Sequence, residues 1–428
     1  MKVLVVGSGG REHALVWKIY QSERVDKIYA APGHEGLSEL AETVDIKGDN
    51  IEKLADWAEN NGIDLTVVGP EKPLVEGIVD KFEKRGLKIF GPRQRAAMVE
   101  GSKVLAKNVL HKYNIPTAEY EVFTDPDKAL NYLGNIDYPV VVKAEGLAAG
   151  KGVKIATKKE EAEKAVNKIM EDRIFGDAGE RIIVEDFLEG REVSILALTD
   201  GKTVIPFAPS QDHKPVFDGD EGPNTGGMGA YSPTPFLSEE MENEIFENIL
   251  KPSVDALRQE GIKYKGVLYA GIMLTDMGPK VLEFNVRLGD PEAQVILPRL
   301  KNDIIDLMES VINEDMDSIK MAWDDRAAVC VVLASGGYPI AYETGYKIKG
   351  LEAVKEHDNL LVFHSGTRLE DGHYVTDGGR VLGLTLLGND LYSAINEIYD
   401  YIEKIQFKDM HYRTDIGKDA IQTEKGVN

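Results

Sequence analysis

The strongest restriction on the fold is an alternation at the start of the chain. Residues 2–6 form an apolar run of strand length, a glycine turn follows, and a helical pattern runs from about residue 11 to 20. Strand-like runs at 27–31, 64–68 and 87–90 then alternate with helical patterns near 51–60 and 74–84. Strands separated by crossover helices pair in parallel and are covered on both faces. Residues 1–101 are therefore expected to form an N-terminal α/β domain built on a doubly wound parallel sheet.

A chain of 428 residues exceeds one ordinary core, and about three domains of roughly 100 to 200 residues each are expected. Ser102 is suited to N-cap a new helix, and Pro116 ends that segment after Tyr113. The second domain is placed at 102–322. Its part at about 118–190 reads as a small α+β lid, with strands at 140–143, 153–156 and 181–185 and a helix at 158–170. Larger elements beyond residue 192 form the body beneath the lid, including a helix over about 238–259 and strands at 267–274 and 280–284. Val-rich strands and glycine turns after Trp323 predict a final small α+β domain at 323–428.

A formal charge of −23 opposes binding to a phosphate backbone, so no nucleic-acid partner is expected. Small anionic substrates stay open if a few cations are focused in one cleft. Cys330, the single cysteine, sits in an apolar run and reads as a core thiol. The N-terminus opens directly as a strand without signal-peptide features, and no run approaches the length of a membrane span. The expected address is the cytoplasm, with no membrane partner.

Four motifs carry the chemistry. GSGGREHAL at 7–15 follows a strand and opens a helix, so its N–H groups and Arg11 make an anion site; the alternative is a plain tight turn. A dinucleotide fingerprint fails there, because Glu12 stands where a third glycine belongs and the second strand ends without an acid for a ribose. KAEGLAAGKGV at 143–153 joins strand to strand, which excludes a P-loop and suggests a flexible flap, or a solvated hairpin. Lys143 and Lys151 could there reach nucleotide phosphates.

VLEFN at 281–285 places Glu283 and Asn285 on one strand face, with Leu282 and Phe284 on the other. A carboxylate beside an amide oxygen suits Mg²⁺, which sits between a few protein groups and substrate phosphates; a solvated edge strand is the bland alternative. GPNTGGMGAYSP at 222–233, preceded by SQDHK, forms a loop of backbone donors for a phosphate or carboxylate, or a structural Ω-loop. The eight histidines show no zinc-binding spacing, and His213 reads as an ordinary loop histidine rather than a base.

Together GSGGREHAL, GLAAGKGV, EDFLEGREVS at 185–194, the DHK and GPNTGGMGAYSP segments and EFNVRLGDPE at 283–292 resemble the phosphoribosylamine–glycine ligases, which are ATP-grasp enzymes. The likeness runs from Met1 to the TDIG at 414–417, with Pro215 standing where a second basic residue is expected. It implies an ATP-grasp core with a small lid and the substrates ATP, glycine and 5-phosphoribosylamine; a monomer is expected. By the resemblance, Lys103, Lys143 and Lys151 contact ATP phosphates, the Glu185, Phe187 and Leu188 hinge takes adenine, and Glu192 holds the ribose. Glu283 and Asn285 carry Mg²⁺ or Mn²⁺. Asp212, Arg287 and Asp290 surround glycine and the amine, with Asn224, Thr225 and Gly226 beside them, and Arg287, Asp212 and Lys151 are the expected catalytic groups. Gly9, Gly10 and Arg11 are assigned to the 5-phosphate of phosphoribosylamine.

The expected reaction activates the glycine carboxylate as an acyl phosphate, which the amine then attacks. Another ATP-grasp carboxylate–amine ligase is the near alternative. A nucleotide-binding regulator without turnover is disfavoured by Glu283, Asn285 and Arg287, and an NAD oxidoreductase by the broken fingerprint.

Overall fold

The computed structural model describes residues 1–148, 151–355 and 357–424; Ala149 and Gly150 of the flap lie outside them. β1 (Lys2–Gly7), β2 (Lys27–Pro32), β3 (Glu42–Thr43), β4 (Leu65–Val68) and β5 (Ile89–Phe90) form a parallel sheet in the order β3-β2-β1-β4-β5. Leu4 and Val6 pack into one core with Leu54 and Phe82, whereas Val3 and Val5 pack into another with Leu15 and Ile19. Burial on both faces explains why these strands read as continuous apolar runs. The strand order reverses at β1, which opens a crevice at the carboxyl ends of β1 and β4.

The lid is an antiparallel sheet of β6 (Tyr120–Phe123), β7 (Val140–Ala144), β8 (Val153–Ala156) and β9 (Ile182–Asp186), in the order β6-β9-β7-β8. Val140 and Val142 face its helices Pro126–Leu133 and Lys159–Val166, while Val141 and Lys143 turn toward a cleft. Alternation along β7 thus puts a lysine on the inner face.

Beneath the lid lie β10 (Arg191–Thr199), β11 (Val204–Pro206), β12 (Gln211–Asp212), β13 (Pro215–Phe217), β14 (Glu221–Asn224), β15 (Gly229–Ser232), β16 (Gly266–Thr275) and β17 (Gly278–Asn285). β11-β10-β16-β17 make one antiparallel sheet, and β13 and β14 form a separate hairpin. The last segment contributes β18 (Ala327–Ala334), β19 (Leu360–His364), the hairpin of β20 (Thr367–Glu370) and β21 (His373–Thr376), and β22 (Arg380–Gly388). β12 and β15, which the sequence places in the body beneath the lid, join these strands in the order β12-β15-β18-β22-β19. Every residue of β18 is buried, so both of its edges need a partner strand, and β15 supplies one from Gly229↔Val331 to Ser232↔Ala328. Among the described residues no helix is long and apolar enough to cross a membrane.

The first and last segments meet at three buried histidines. His13 on the helix Gly10–Tyr20, His34 after β2 and His364 on β19 have ring centroids 5.5, 5.7 and 6.1 Å apart in pairs. Burial lowers all three: His34 to about 4, His364 to about 3, and His13 well below its usual value. A histidine depressed in the folded state stabilises the fold above its unfolded pKa, and that contribution is lost as pH falls toward the folded value. For His34 the loss amounts to roughly 2 to 3 kcal/mol between pH 6.5 and 4.5. His34→Gln is therefore expected to flatten the fall of stability across that window, read by denaturant melts at stepped pH. An unchanged slope would remove His34 from the acid response.

Candidate active site

A cavity of about 330 Å³ lies between the inner face of the lid, the cleft face of β16 and β17, and the helix Lys103–Lys112. Ser102 caps that helix by accepting from Leu105 N–H at 3.2 Å, which fixes Lys103 in its first turn. The Lys103 ammonium donates to Gly146 O at 3.1 Å and Lys143 donates to Glu185 Oε2 at 2.8 Å and Leu282 O at 3.2 Å. Lys107, which the motifs did not single out, reaches the same Glu185 oxygen at 3.2 Å. Burial lowers Lys103 and takes Lys107 down to about 8. Glu185 Oε1 is buried with no hydrogen-bond partner among the described residues. Phe187 and Leu188 line the cleft beside it.

β17 does not alternate as its sequence suggests. Glu283 pairs with Gly271 but Val281 already pairs with Ile272, and this irregularity turns Val281 and Phe284 into the core. Leu282, expected on the Phe284 side, instead lines the cleft with Glu283 and Asn285. Burial works against the Glu283 carboxylate, yet Lys214, Lys143, Lys103 and Arg287 outweigh it and hold its pKa below the usual value. Lys214 bonds Glu192 on β10 and stands 3.9 Å from Glu283. Gly271 leaves the space between those two acids open, since a Cβ there would lie 3.9 Å from Glu192 Oε1 and 3.6 Å from Glu283 Cγ.

Past Asn285 the cleft is a charge network. Arg287 donates to Asn285 Oδ1 and Glu100 Oε1, each at 2.9 Å, and to Glu71 Oε2 at 3.2 Å. Glu71 is held at about 2, Arg287 and Arg11 overcoming its burial, while burial lifts Glu100 to about 7. Neither acid was a sequence candidate. Glu71 follows the end of β4, the switch-point position where a ligand-facing residue is looked for, whereas Glu100 gives no local signal. Arg11 donates to Leu288 O at 3.1 Å and lines the same cleft.

Asp212 on β12 has a buried Oδ1 without a partner among the described residues, and burial together with Glu292 raises its carboxyl well above the usual range. Asp290 accepts from Gln294 Nε2 at 2.7 Å and pairs with Arg380 at 3.0 Å; Arg380 and Arg11 keep it low in spite of burial. A Cβ on Gly9 or Gly10 would lie 3.4 Å from an Asp290 oxygen, so the glycine turn and Asp290 adjoin.

Three expectations change. Gly9 does not offer a free donor, because its N–H donates to Glu12 Oε2 at 2.5 Å. Glu12 fills the corner that a dinucleotide fold gives to its third glycine, and Gly7 and Gly69 make room, a Cβ on either approaching it within 2.5 and 2.2 Å. Thr225 does not present its hydroxyl: the group donates to Lys214 O at 2.7 Å and accepts from Gly227 N–H at 2.9 Å. Lys151 points away from the cavity and donates to Pro339 O at 3.2 Å. Asn224, Thr225 and Gly226 all line the cavity. At Pro215 the carbonyl accepts from Arg413 at 3.1 Å, and that guanidinium is paired with Asp220 and Asp415.

Family profiles cover nearly the whole chain: the phosphoribosylglycinamide synthetase N domain matches residues 1–100, its ATP-grasp (A) domain 101–293 and its C domain 328–419. A phosphoribosylamine–glycine ligase of Caldanaerobacter subterraneus subsp. tengcongensis is 53% identical over 416 residues, 97% of this chain and 99% of that protein. The crystal structure of a Thermotoga maritima phosphoribosylamine–glycine ligase superposes with a TM-score of 0.82 at 33% identity, covering 97% of this chain and 100% of that one. The biotin carboxylase domain of Hydrogenobacter thermophilus 2-oxoglutarate carboxylase shares the fold, with a TM-score of 0.76 at 16% identity over 96% of this chain and 91% of that one.

Proposed function

Since the chain belongs to the phosphoribosylglycinamide synthetase family, we propose that its cleft runs the family reaction from one cluster of cations, Lys103, Lys143, Lys214 and Arg287, gathered around Glu283. The chain is a phosphoribosylamine–glycine ligase of purine biosynthesis, joining glycine to 5-phosphoribosylamine at the expense of ATP. That convergence of charge in an acidic protein is the observation that carries the assignment of residues.

A carboxylate is a poor electrophile, so the reaction must first convert it. Lys103 and Lys143 are assigned to the ATP phosphates, where charge on the transferring group needs compensation. The unpartnered Glu185 Oε1 suits the amino group of adenine, with Phe187 and Leu188 beside the ring and Glu192 at the ribose. Glu283 and Asn285 fit a hard divalent cation, Mg²⁺ or Mn²⁺, because few protein oxygens are needed once phosphates and water complete the shell. Held there, such an ion would supply positive charge against the phosphates. Arg287 is shared among Asn285, Glu71 and Glu100, so its charge sits at the junction of the nucleotide and glycine regions.

Asp212 Oδ1, which no donor among the described residues satisfies, is assigned to a substrate amine; an arriving ammonium favours its ionised form. Asp290 serves the same region. Gly10 and Arg11 are left to hold the 5-phosphate, Gly9 acting through its shape and Thr225 by shaping the loop of Asn224 and Gly226. Lys151 must leave Pro339 to join the phosphates as the flap closes and excludes water. The reading is a monomeric cytoplasmic enzyme, and sedimentation of the full chain tests the monomer.

The glycine oxygen attacks the γ-phosphorus and ADP departs; the amine then attacks the acyl carbon, phosphate leaves with that glycine oxygen, and the nitrogen loses a proton. Glycine labelled with ¹⁸O in its carboxylate is expected to deliver one labelled oxygen to each inorganic phosphate. Unlabelled phosphate formed alongside normal product would exclude the acyl phosphate.

A further inference from the structure

The loop that follows β14 is held from outside by the C-terminal strands. Arg380, the first residue of β22, donates through Nη1 to Gly226 O at 2.7 Å, Gly227 O at 3.3 Å and Asp290 O at 2.8 Å. Its Nη2 meets Asp290 Oδ2 at 3.0 Å. The Gly226 N–H, on the other end of the same residue, donates to Tyr338 Oη at 3.2 Å. Both polar groups of Gly226 are thus engaged by residues of the last segment. Tyr338 can lie there because its neighbour across the turn is Gly379, where a Cβ would meet the ring at 2.2 Å. The two grips are therefore set by one short stretch, Gly379 and Arg380, at the start of β22.

We propose that Arg380, assisted by Tyr338, is a positioning residue for glycine: it clamps the Gly226–Gly227 backbone to the Asp290 turn and so fixes two walls of the glycine pocket. The proposal rests on the assignment of the 222–227 loop and Asp290 to substrate. Its physical basis is the direction of the carbonyls. Three backbone oxygens that would repel a substrate carboxylate are turned onto one guanidinium, which also brings positive charge to the cleft wall. Arginine is required because a planar fork can serve several acceptors at once, whereas a lysine ammonium on a flexible stem cannot hold the same set in one geometry. Steric fit makes the same point. A Cβ on Gly226 would lie 3.0 Å from Arg380 Cζ, and one on Gly227, at φ +115, would strike Pro291 at 2.3 Å and Asp212 Oδ1 at 2.7 Å. The clamp closes on backbone that only glycine permits.

The test is steady-state kinetics on the full chain, with glycine, phosphoribosylamine and ATP varied in turn, for Arg380→Lys, Tyr338→Phe and Asn224→Ala. Arg380→Lys is expected to raise KM for glycine about tenfold or more, the size of one lost charge-assisted hydrogen bond. Tyr338→Phe is expected to raise it about threefold, and KM for ATP is expected to stay within about twofold in both. A bond that merely stabilised the fold would lower the melting temperature or the active fraction and leave KM for glycine alone. An unchanged KM for glycine in the Arg380→Lys enzyme, or a rise confined to ATP or to phosphoribosylamine, overturns the clamp. Asn224→Ala separates the two layers of argument. If it raises KM for glycine while Arg380→Lys does not, the clamp alone falls; if it too leaves glycine unaffected, the loop assignment falls with it. Should Arg380→Lys not fold, Tyr338→Phe removes a single hydroxyl and decides the question.

Discussion

Turnover of a Glu283→Gln enzyme is expected to fall on the order of 10²- to 10³-fold at ordinary Mg²⁺, the size of effect seen when one preorganised charge-stabilising group is lost. The fold should survive, because glutamine keeps the length and shape of the side chain on β17. What changes is the charge. Glu283 is faced by Lys214, Lys143, Lys103 and Arg287, which keep it ionised against burial, and a neutral amide in that place cannot anchor a hard cation. Circular dichroism and melting follow the fold, and stopped assays of ADP release follow turnover. Val281→Ala provides the opposite control: Val281 is fully buried in the same strand, so its truncation costs stability, roughly 1 to 3 kcal/mol, without touching the charge cluster. Near-normal turnover by Glu283→Gln would sink the metal assignment. Partial recovery at high Mg²⁺ would instead support it, since weakened binding yields to mass action.

How far the fold can be read from the sequence depends on whether a pattern is local. The first parallel sheet is legible because Val3, Leu4, Val5 and Val6 are buried on alternating faces of one strand, and helices follow β1, β3 and β4. The union of β12 and β15 with the C-terminal strands is not. One is two residues long, the other four, and the partner β18 begins nearly a hundred positions later, so no periodicity announces the pairing. β17 fails for a related reason. Its period is broken by an irregularity against β16 between Gly271 and Ile272, and a bulge belongs to a pair of strands, not to either sequence alone.

The site divides along the same line. Lys143, Glu283 and Arg287 sit in motifs whose residue types already imply charge compensation, Lys103 and Glu185 are expected from the family resemblance alone, and all five line one cleft. Glu100 and Arg380 were missed because their meaning comes from partners far along the chain: Glu100 from Arg287 and Val286, Arg380 from Gly226 and Asp290. The engagement of Gly9 was within reach. Glu12 stands three positions after it, the spacing at which an acid reaches back to the N–H of a helix cap, even though a glycine cap hides the usual signature.

Lys143→Met and Lys151→Ala are expected to fail at different steps, although both lysines belong to one glycine-rich motif. Lys143 is buried and bonded to Glu185 and Leu282 O, so its charge stands in the cleft before any nucleotide arrives. Removing it should weaken ATP binding roughly ten- to a hundredfold, the worth of a charge-assisted contact. The loss need not unfold the lid, since Lys107 remains 3.2 Å from Glu185 and keeps that carboxylate paired. The Lys151 ammonium donates to Pro339 O, outside the cavity lining, and is not turned to an open site. Its alanine variant should bind ATP within about threefold of the parent, yet transfer phosphoryl far more slowly, because the contact forms only as the flap closes. Calorimetry of nucleotide binding and rapid-quench measurement of single turnovers separate the two effects. If Lys151→Ala binds ATP as poorly as Lys143→Met, the flap engages the nucleotide from the outset. If neither variant changes binding or transfer, the phosphates lie elsewhere and the cation cluster around Glu283 serves another ligand.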